Sequence, residues 1–258
     1  AMLQDYDTSI KELARTIEKD QALVPKILSL VNSAFFGFSA RISAISHAVI
    51  VLGFNTVRNA VVSVSIIEAL SKGDLKNFDI TRFWTHSIAV AVVSRYLAEK
   101  NRQGSPEDYF TAGLVHDIGK IVLAQYFQDL FKVVWASARE NSLSFYEAEK
   151  KEISITHAHI GGYLAGKWKL PHGMIDAIRH HHTPNRNVND FNLLITVHVA
   201  DIIVNSLMGD AKGRVNYSAI HPDAAKALMP HITSASKWFP DMEAEIESAC
   251  AFFVKKEN

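Results

Sequence analysis

Seven side chains in this sequence are of types that could together hold divalent metal ions: His86, His116, Asp117, His157, His181, His182 and Asp201. Neutral imidazole and carboxylate suit first-row divalent metals, and a carboxylate can bridge two ions. Five histidines and two aspartates are therefore enough for a dinuclear site. Cys250 is the only cysteine, so thiolate ligation in pairs, as in a structural zinc finger, is excluded.

The neighbours of these residues set them apart. Asp117 falls on the stripe Phe110, Leu114, Asp117, Ile121 of a helix predicted from Pro106 to Tyr126, and Asp201 falls with Leu194, Val197 and Val204. An ionised carboxylate buried there costs several kcal/mol unless a cation or strong hydrogen bonds compensate. A salt bridge or a helix cap is the alternative use, yet neither aspartate has an arginine at helical spacing on its stripe. His86 lies between Phe83 and Val90, and His116 directly precedes Asp117. His157 aligns with Ile160 and Leu164, whereas His159 shares another face with Tyr163. His181 and His182 follow Ile178 at helical spacing, and His180 points elsewhere. A lone histidine on such a stripe is usually a hydrogen-bonded core residue; it is the conjunction that favours ligands. His47, His172, His198, His221 and His231 read as structural or surface residues.

The elements that must carry these residues are helices throughout. Apolar residues recur at three- and four-residue spacing, with scarce alternation and turn residues confined to a few joints. The core helices are predicted from Thr81 to Lys100, Pro106 to Tyr126, Asp129 to Glu140, Ser144 to Lys151, His157 to Trp168, Gly173 to His181 and Phe191 to Leu207. Before them come Ser9 to Lys19, Ala22 to Asn32, Ile45 to Leu52 and Thr56 to Leu70; after them come His221 to Leu228 and Asp241 to Val254. Ser105, Pro106 and Asp108 combine an N-cap, a first-turn proline and a first-turn carboxylate. The polar breaks suggest an N-terminal helical layer over residues 1–75, a metal-binding core over 76–210 and a C-terminal cap over 211–258.

Lysines plus arginines equal aspartates plus glutamates at 27 each, so no global field draws the chain to nucleic acid or an anionic membrane. No DNA binding is expected. The longest apolar runs, such as Ala60 to Ala69, fall short of the ~20 residues that span a bilayer. Ala1 to Tyr6 lacks the order of a secretory signal. A single cysteine fits a reducing compartment, and a cytoplasmic location is expected.

His116, Asp117, Ile118, Gly119 and Lys120 spell HDIGK, which resembles the HD and HD-GYP metal-dependent phosphohydrolases. An upstream histidine, the HD pair, His157 four residues before Gly161, the pair His181 and His182, and Asp201 after Ala200 follow that superfamily's ligand order. The N-terminal third resembles a narrower group, the HDOD (HD-related output domain) family. The carrying features are a helical segment ending near Asp20, the run Asn32 to Gly37, the segment Ile45 to Gly53 and the joint Trp168-Lys169-Leu170-Pro171. Thr183-Pro184-Asn185-Arg186-Asn187 stands where HD-GYP proteins carry Gly-Tyr-Pro, which speaks against cyclic di-GMP hydrolysis.

The resemblance implies an all-α, HD-domain-like helical bundle with an additional N-terminal helical layer, acting as an output domain of bacterial-type signalling. By similarity, His86, His116, Asp117 and Asp201 hold one ion and Asp117, His157, His181 and His182 a second, with Asp117 bridging. Iron or manganese is favoured, with magnesium, zinc or nickel as alternatives. Water activated by the ions would attack the phosphorus of a phosphoester or nucleotide. Asp117 and Lys120 are the expected catalytic residues, Lys120 neutralising phosphate unless it is a solvated surface lysine. The competing expectations are a non-catalytic regulatory domain with a structural or sensing metal, and an adaptor without metal that binds a signalling partner protein. The two phenylalanines of the Asn32 to Gly37 run serve core packing or, alternatively, a partner surface or lid.

Overall fold

Apolar spacing at three and four residues produces helices along the chain. A computed structural model describes residues 10–32, 41–71, 78–208 and 215–253, and every regular element among them is helical. The run from Ser33 to Gly37 lies outside the described residues, as does Val254.

Four helices form the N-terminal layer: α1 (Ile10–Glu18), α2 (Leu23–Val31), α3 (Ile45–Leu52) and α4 (Phe54–Leu70). Their own core gathers Ile17, Ile27, Val31, Ile45 and Val49. The last helix joins this layer to the rest, because Val57 and Val61 enter the first core while Ala60, Val64 and Ile67 enter the main one. Asn32 closes the start of the layer: its side chain donates to the carbonyl of Ile42 and accepts from the Ile42 N–H, both at 2.7 Å.

The main core is built on α5 (Ile80–Lys100), buried along most of its length. On it pack α6 (Pro106–Val115) and α12 (Phe191–Met208), and α11 (His172–His180), α10 (His157–Lys167) and α7 (Ile118–Tyr126) extend the core in turn. The hairpin α8 (Gln128–Glu140) and α9 (Phe145–Glu152) sits to one side on a small core of its own made by Leu123, Ala124 and Phe131. Two C-terminal helices, α13 (Pro222–Thr233) and α14 (Ala235–Phe253), bury Leu228, Ile232, Trp238, Phe239 and Ile246 in the main core.

Several expectations change. The helix predicted from Pro106 to Tyr126 is two helices, broken at His116 and Asp117. Consecutive residues on one unbroken helix diverge by about 100°, so the break is what lets both side chains serve a single point. Ser105 makes no side-chain cap, and the Asp108 carboxylate instead accepts from Arg58 at 2.7 Å and Asn59 at 2.8 Å. The C-terminal helices run through Pro230 and Pro240, where proline signals had ended or delayed them. Burial of Ile232, Trp238 and Phe239 outweighs the hydrogen bond each ring removes. Phe191–Met208 is long and apolar enough to cross a bilayer, contrary to expectation, but 67% of it is buried within the fold, as in a core helix.

Two glycines bring the site-bearing helices together. A Cβ on Gly113 would lie 2.8 Å from Ala91 Cα, so its absence seats α6 on α5. On Gly119 a Cβ would stand 1.9 Å from the His157 carbonyl oxygen and 2.8 Å from the Gly161 nitrogen. Replacing Gly119 with Ala should therefore cost at least about 1–3 kcal/mol, read by denaturant unfolding. Gly166→Ala, with nothing within 4 Å of the added methyl, should be neutral or stabilise by up to about 1 kcal/mol. Equal stability of the two variants would remove the α7–α10 contact as a requirement.

Candidate metal centre

Three helices and two turns deliver the seven residues expected to ligate. His86 sits in α5, His116 and Asp117 form the turn between α6 and α7, and His157 is the first residue of α10. His181 and His182 follow α11, and Asp201 lies within α12. All are buried or nearly so; His116, His157 and His181 have no exposure.

Asp117 is the hinge of the arrangement. Its Oδ1 faces His157 Nε2 at 3.0 Å and His181 Nε2 at 3.6 Å, and His182 Nε2 stands 3.1 Å from His157 Nε2. Its Oδ2 faces His116 Nε2 at 3.4 Å and His86 Nε2 at 3.7 Å. Asp201 Oδ1 closes that second side, 3.1 Å from His86 and 3.6 Å from His116. Two groups result, Asp117 with His157, His181 and His182, and His86 with His116 and Asp201, each compact enough to surround one ion. The Asp117 carboxylate spans both.

The second ring nitrogens explain why the first are bare. His116 Nδ1 bonds the Gly113 carbonyl at 2.7 Å, His181 Nδ1 the Ile178 carbonyl at 2.8 Å, and His157 Nδ1 the Glu149 carboxylate at 2.6 Å. A carbonyl or carboxylate can only accept, so Nδ1 carries the proton and a neutral ring presents an Nε2 lone pair to Asp117. His116 Nε2, His181 Nε2 and Asp117 Oδ1 are accordingly buried without a hydrogen-bond partner. Acceptors that converge in a buried place repel one another, and a shared cation is the group that resolves the conflict. The donor set fits a divalent metal.

Burial pushes the Asp117 carboxyl up, but Lys120 first, and His116 and His157 when they carry a second proton, hold the group well below the usual carboxylate range. Burial pushes those two imidazoles down, and without a metal Asp117 outweighs it and raises both. Asp201 behaves alike, burial being overcome by His116 and His86. Burial pushes His181 down to about 4, and burial together with His181 and His157 places His182 well below the ordinary imidazole value. Both rings stay neutral at pH 7, the form that binds metal.

Lys120 is not a freely solvated lysine: its ammonium donates to Asp117 Oδ2, and its side chain keeps 23% exposure. His159 is exposed and bonds Thr156 at 2.8 Å, and His180 joins neither group. His198 is held on both nitrogens, by the His181 carbonyl at 2.6 Å and the His221 N–H at 3.0 Å, which makes it structural. Two residues near the centre went unremarked in the sequence. Glu149, fully buried, accepts from the His157 backbone N–H at 2.8 Å as well as from its ring. Tyr146 stacks on His182 with ring centroids 4.3 Å apart. The signal for Glu149 was its place with Phe145 and Ala148 at helical spacing, an inward stripe of the kind that marked Asp117.

The HDOD domain family model matches residues 1–184. The chain belongs to the HDOD family. The match ends just past His182, so Asp201 and the C-terminal helices lie beyond it. An uncharacterized protein of Treponema pallidum (strain Nichols) is 27% identical over 210 residues, 81% of this chain and 40% of that protein. Protein YuxH of Bacillus subtilis (strain 168), also uncharacterized, is 28% identical over 112 residues, 43% of this chain and 27% of its own. The chain thus spans less than half the length of either. Among solved structures, an HDOD domain protein from Geobacter sulfurreducens superposes with a TM-score of 0.72 at 24% identity, covering 97% of this chain and 88% of that one. A protein from Shewanella amazonensis SB2B, provisionally named a phosphohydrolase, gives a TM-score of 0.77 at 21% identity over 98% of this chain and 90% of its own. At these identities the likeness is one of fold.

Glu149→Gln tests the arrangement around His157. An amide nitrogen would face an N–H donor, so stability should fall by about 1–3 kcal/mol in denaturant titration. Divalent-metal affinity should fall about 10–100-fold. Unchanged metal affinity in a folded variant would mean that Glu149 supports the helix and not the ligand.

Proposed function

We propose that this chain is a signal-transduction output domain with a divalent metal centre that hydrolyses a phosphoester. The carrying observation is the convergence of His116 Nε2, His181 Nε2 and Asp117 Oδ1, all buried and without a donor. In this reading His86, His116, Asp117 and Asp201 would hold one ion, and Asp117, His157, His181 and His182 a second. Imidazole and carboxylate donors without thiolate favour iron or manganese, with magnesium, zinc or nickel as alternatives. Residues 1–75 would serve as the layer that meets a signalling partner, 76–210 as the metal-bearing core and 211–258 as its cap, in a cytoplasmic protein.

Access supports turnover over a purely structural ion. A cavity of about 640 Å3 reaches the centre and has His86, Asp117 and Lys120 in its wall. His86 keeps 20% exposure, so this side is open where the His157 side is closed. A structural site has every position filled by protein, whereas a catalytic one keeps a position that substrate can reach.

When bound, divalent ions would polarise a phosphoryl oxygen and bring the pKa of water toward neutrality. The chain's own residues do the remainder. Asp117 keeps its charge at neutral pH with the Lys120 ammonium beside it opposing the effect of burial. Lys120, beside Asp117 and in the cavity wall, offers a cation to a phosphoryl oxygen. Glu149 and the backbone carbonyls of Gly113 and Ile178 fix the rings so that no reorientation accompanies the reaction.

Elemental analysis of protein purified without chelator or affinity metal is the test. Wild type should carry near-stoichiometric iron, manganese or another divalent ion, Asp117→Ala should lose most of it, and His159→Ala should keep it. Loaded wild type should release phosphate from a panel of phosphoesters, and Asp117→Ala should fall at least about 100-fold. Equal metal loss in both variants would refute the ligand assignment, and metal with no turnover would leave a sensing or structural centre.

A further inference from the structure

The cavity that reaches the centre holds more aromatic surface than a phosphoryl group needs. Its walls include Phe78, Phe83, Phe131 and Trp135. The rings brace one another: Trp135 stacks on Phe131 at 5.8 Å and 21°, Phe131 meets Phe78 edge-on at 5.6 Å, and Phe78 lies 5.5 Å from Phe83. Yet Trp135 leaves 48% of its surface exposed, shared between this cavity and a neighbouring surface hollow lined also by Lys132 and Arg139. A tryptophan normally buries its large apolar ring, so one held in place by neighbours and left open on a cavity wall is a platform for another flat ring.

The polar part of the cavity suits such a ring with heteroatoms on its edge. Arg82, Thr85 and Asn205 line it together with Asp79. The Asn205 amide nitrogen donates to Asp201 at 2.7 Å, leaving its carbonyl oxygen as an acceptor. A volume of about 640 Å3 matches small-molecule sites, whereas a lone phosphate would fill a small part of it.

We propose that Trp135, braced by Phe131, is the specificity-determining residue of this cavity and that its ligand is a nucleoside phosphate, with the base on Trp135 and the phosphoryl group toward Asp117 and Lys120. Turnover of that ligand rests on the phosphohydrolase reading above; its binding does not.

The experiment pairs adenosine 5′-monophosphate with ribose 5-phosphate, which share the phosphoester and differ by the base. Both are titrated calorimetrically into the manganese-loaded protein, as hydrolysis-resistant phosphonate analogues, and into the metal-free protein, as wild type, Trp135→Ala and Trp135→Phe, with circular dichroism confirming the fold of each; the affinities are read on whichever form binds. Wild type should bind the nucleotide about tenfold more tightly than the sugar phosphate. The preference should vanish in Trp135→Ala and return in part in Trp135→Phe. The same pair then serves as substrates for manganese-loaded protein, where the ratio of kcat/KM should follow the ratio of affinities. Equal affinity for the two compounds in wild type, binding of neither, or a preference that survives Trp135→Ala overturns the assignment. A Trp135-dependent preference without turnover of either compound upholds the platform and removes the phosphohydrolase reading. Turnover of both at equal efficiency does the reverse.

Discussion

The Asp117 carboxylate, buried where every near neighbour but Lys120 presents a ring nitrogen, is the constraint around which the helices are arranged. Moving such a charge out of water costs several kcal/mol, and a structure that does so must return the loss locally. Lys120 returns part of it through its contact with Oδ2. The other oxygen, Oδ1, meets His157 and His181, whose proton-bearing nitrogens are turned away toward Glu149 and the Ile178 carbonyl. The side chains are thus committed to a cationic guest before it arrives, which is the sense in which the centre is preorganised.

Backbone sterics make that commitment reachable. His157 can stand 3.0 Å from Asp117 only because α7 and α10 touch through Gly119 and Gly161, where the space for one methyl group is already taken by the His157 carbonyl. The break after Val115 then turns His116 and Asp117 toward the same place, while Gly113 both seats α6 against α5 by lacking a Cβ and receives the His116 ring on its carbonyl. A short run of residues from Gly113 to Lys120 therefore carries the packing contacts and the polar chemistry together. Substitutions in it would be felt in both stability and binding, and only paired measurements separate them.

The legible part of the centre was the part with a penalty attached. Asp117 and Asp201 stood out because an aspartate on an apolar stripe is expensive, and the histidines because they shared such stripes; helical periodicity carried the all-α class for the same reason. What was hidden depended on tertiary contacts. Nothing local distinguishes a helix from Pro106 to Tyr126 from two helices with a turn between; the turn directly precedes Gly119, where α10 approaches most closely. Pro230 and Pro240 misled because their cost is local while the burial of Trp238 and Phe239 that offsets it is not. Glu149 was masked by its company, a helix rich in lysine and glutamate in which one more carboxylate draws no notice.

That last residue joins the two ends of the site. Glu149 lies on α9 and Trp135 on α8, and the pair of helices packs as a hairpin on the small core of Leu123, Ala124 and Phe131, apart from the main one. Phe131 supports Trp135 on the cavity side, while Phe145 approaches His157 at 6.1 Å and Tyr146 covers His182. The aromatic wall and the carboxylate that orients His157 therefore rest on one hairpin, and a substitution in its small core, such as at Phe131, touches the support of both.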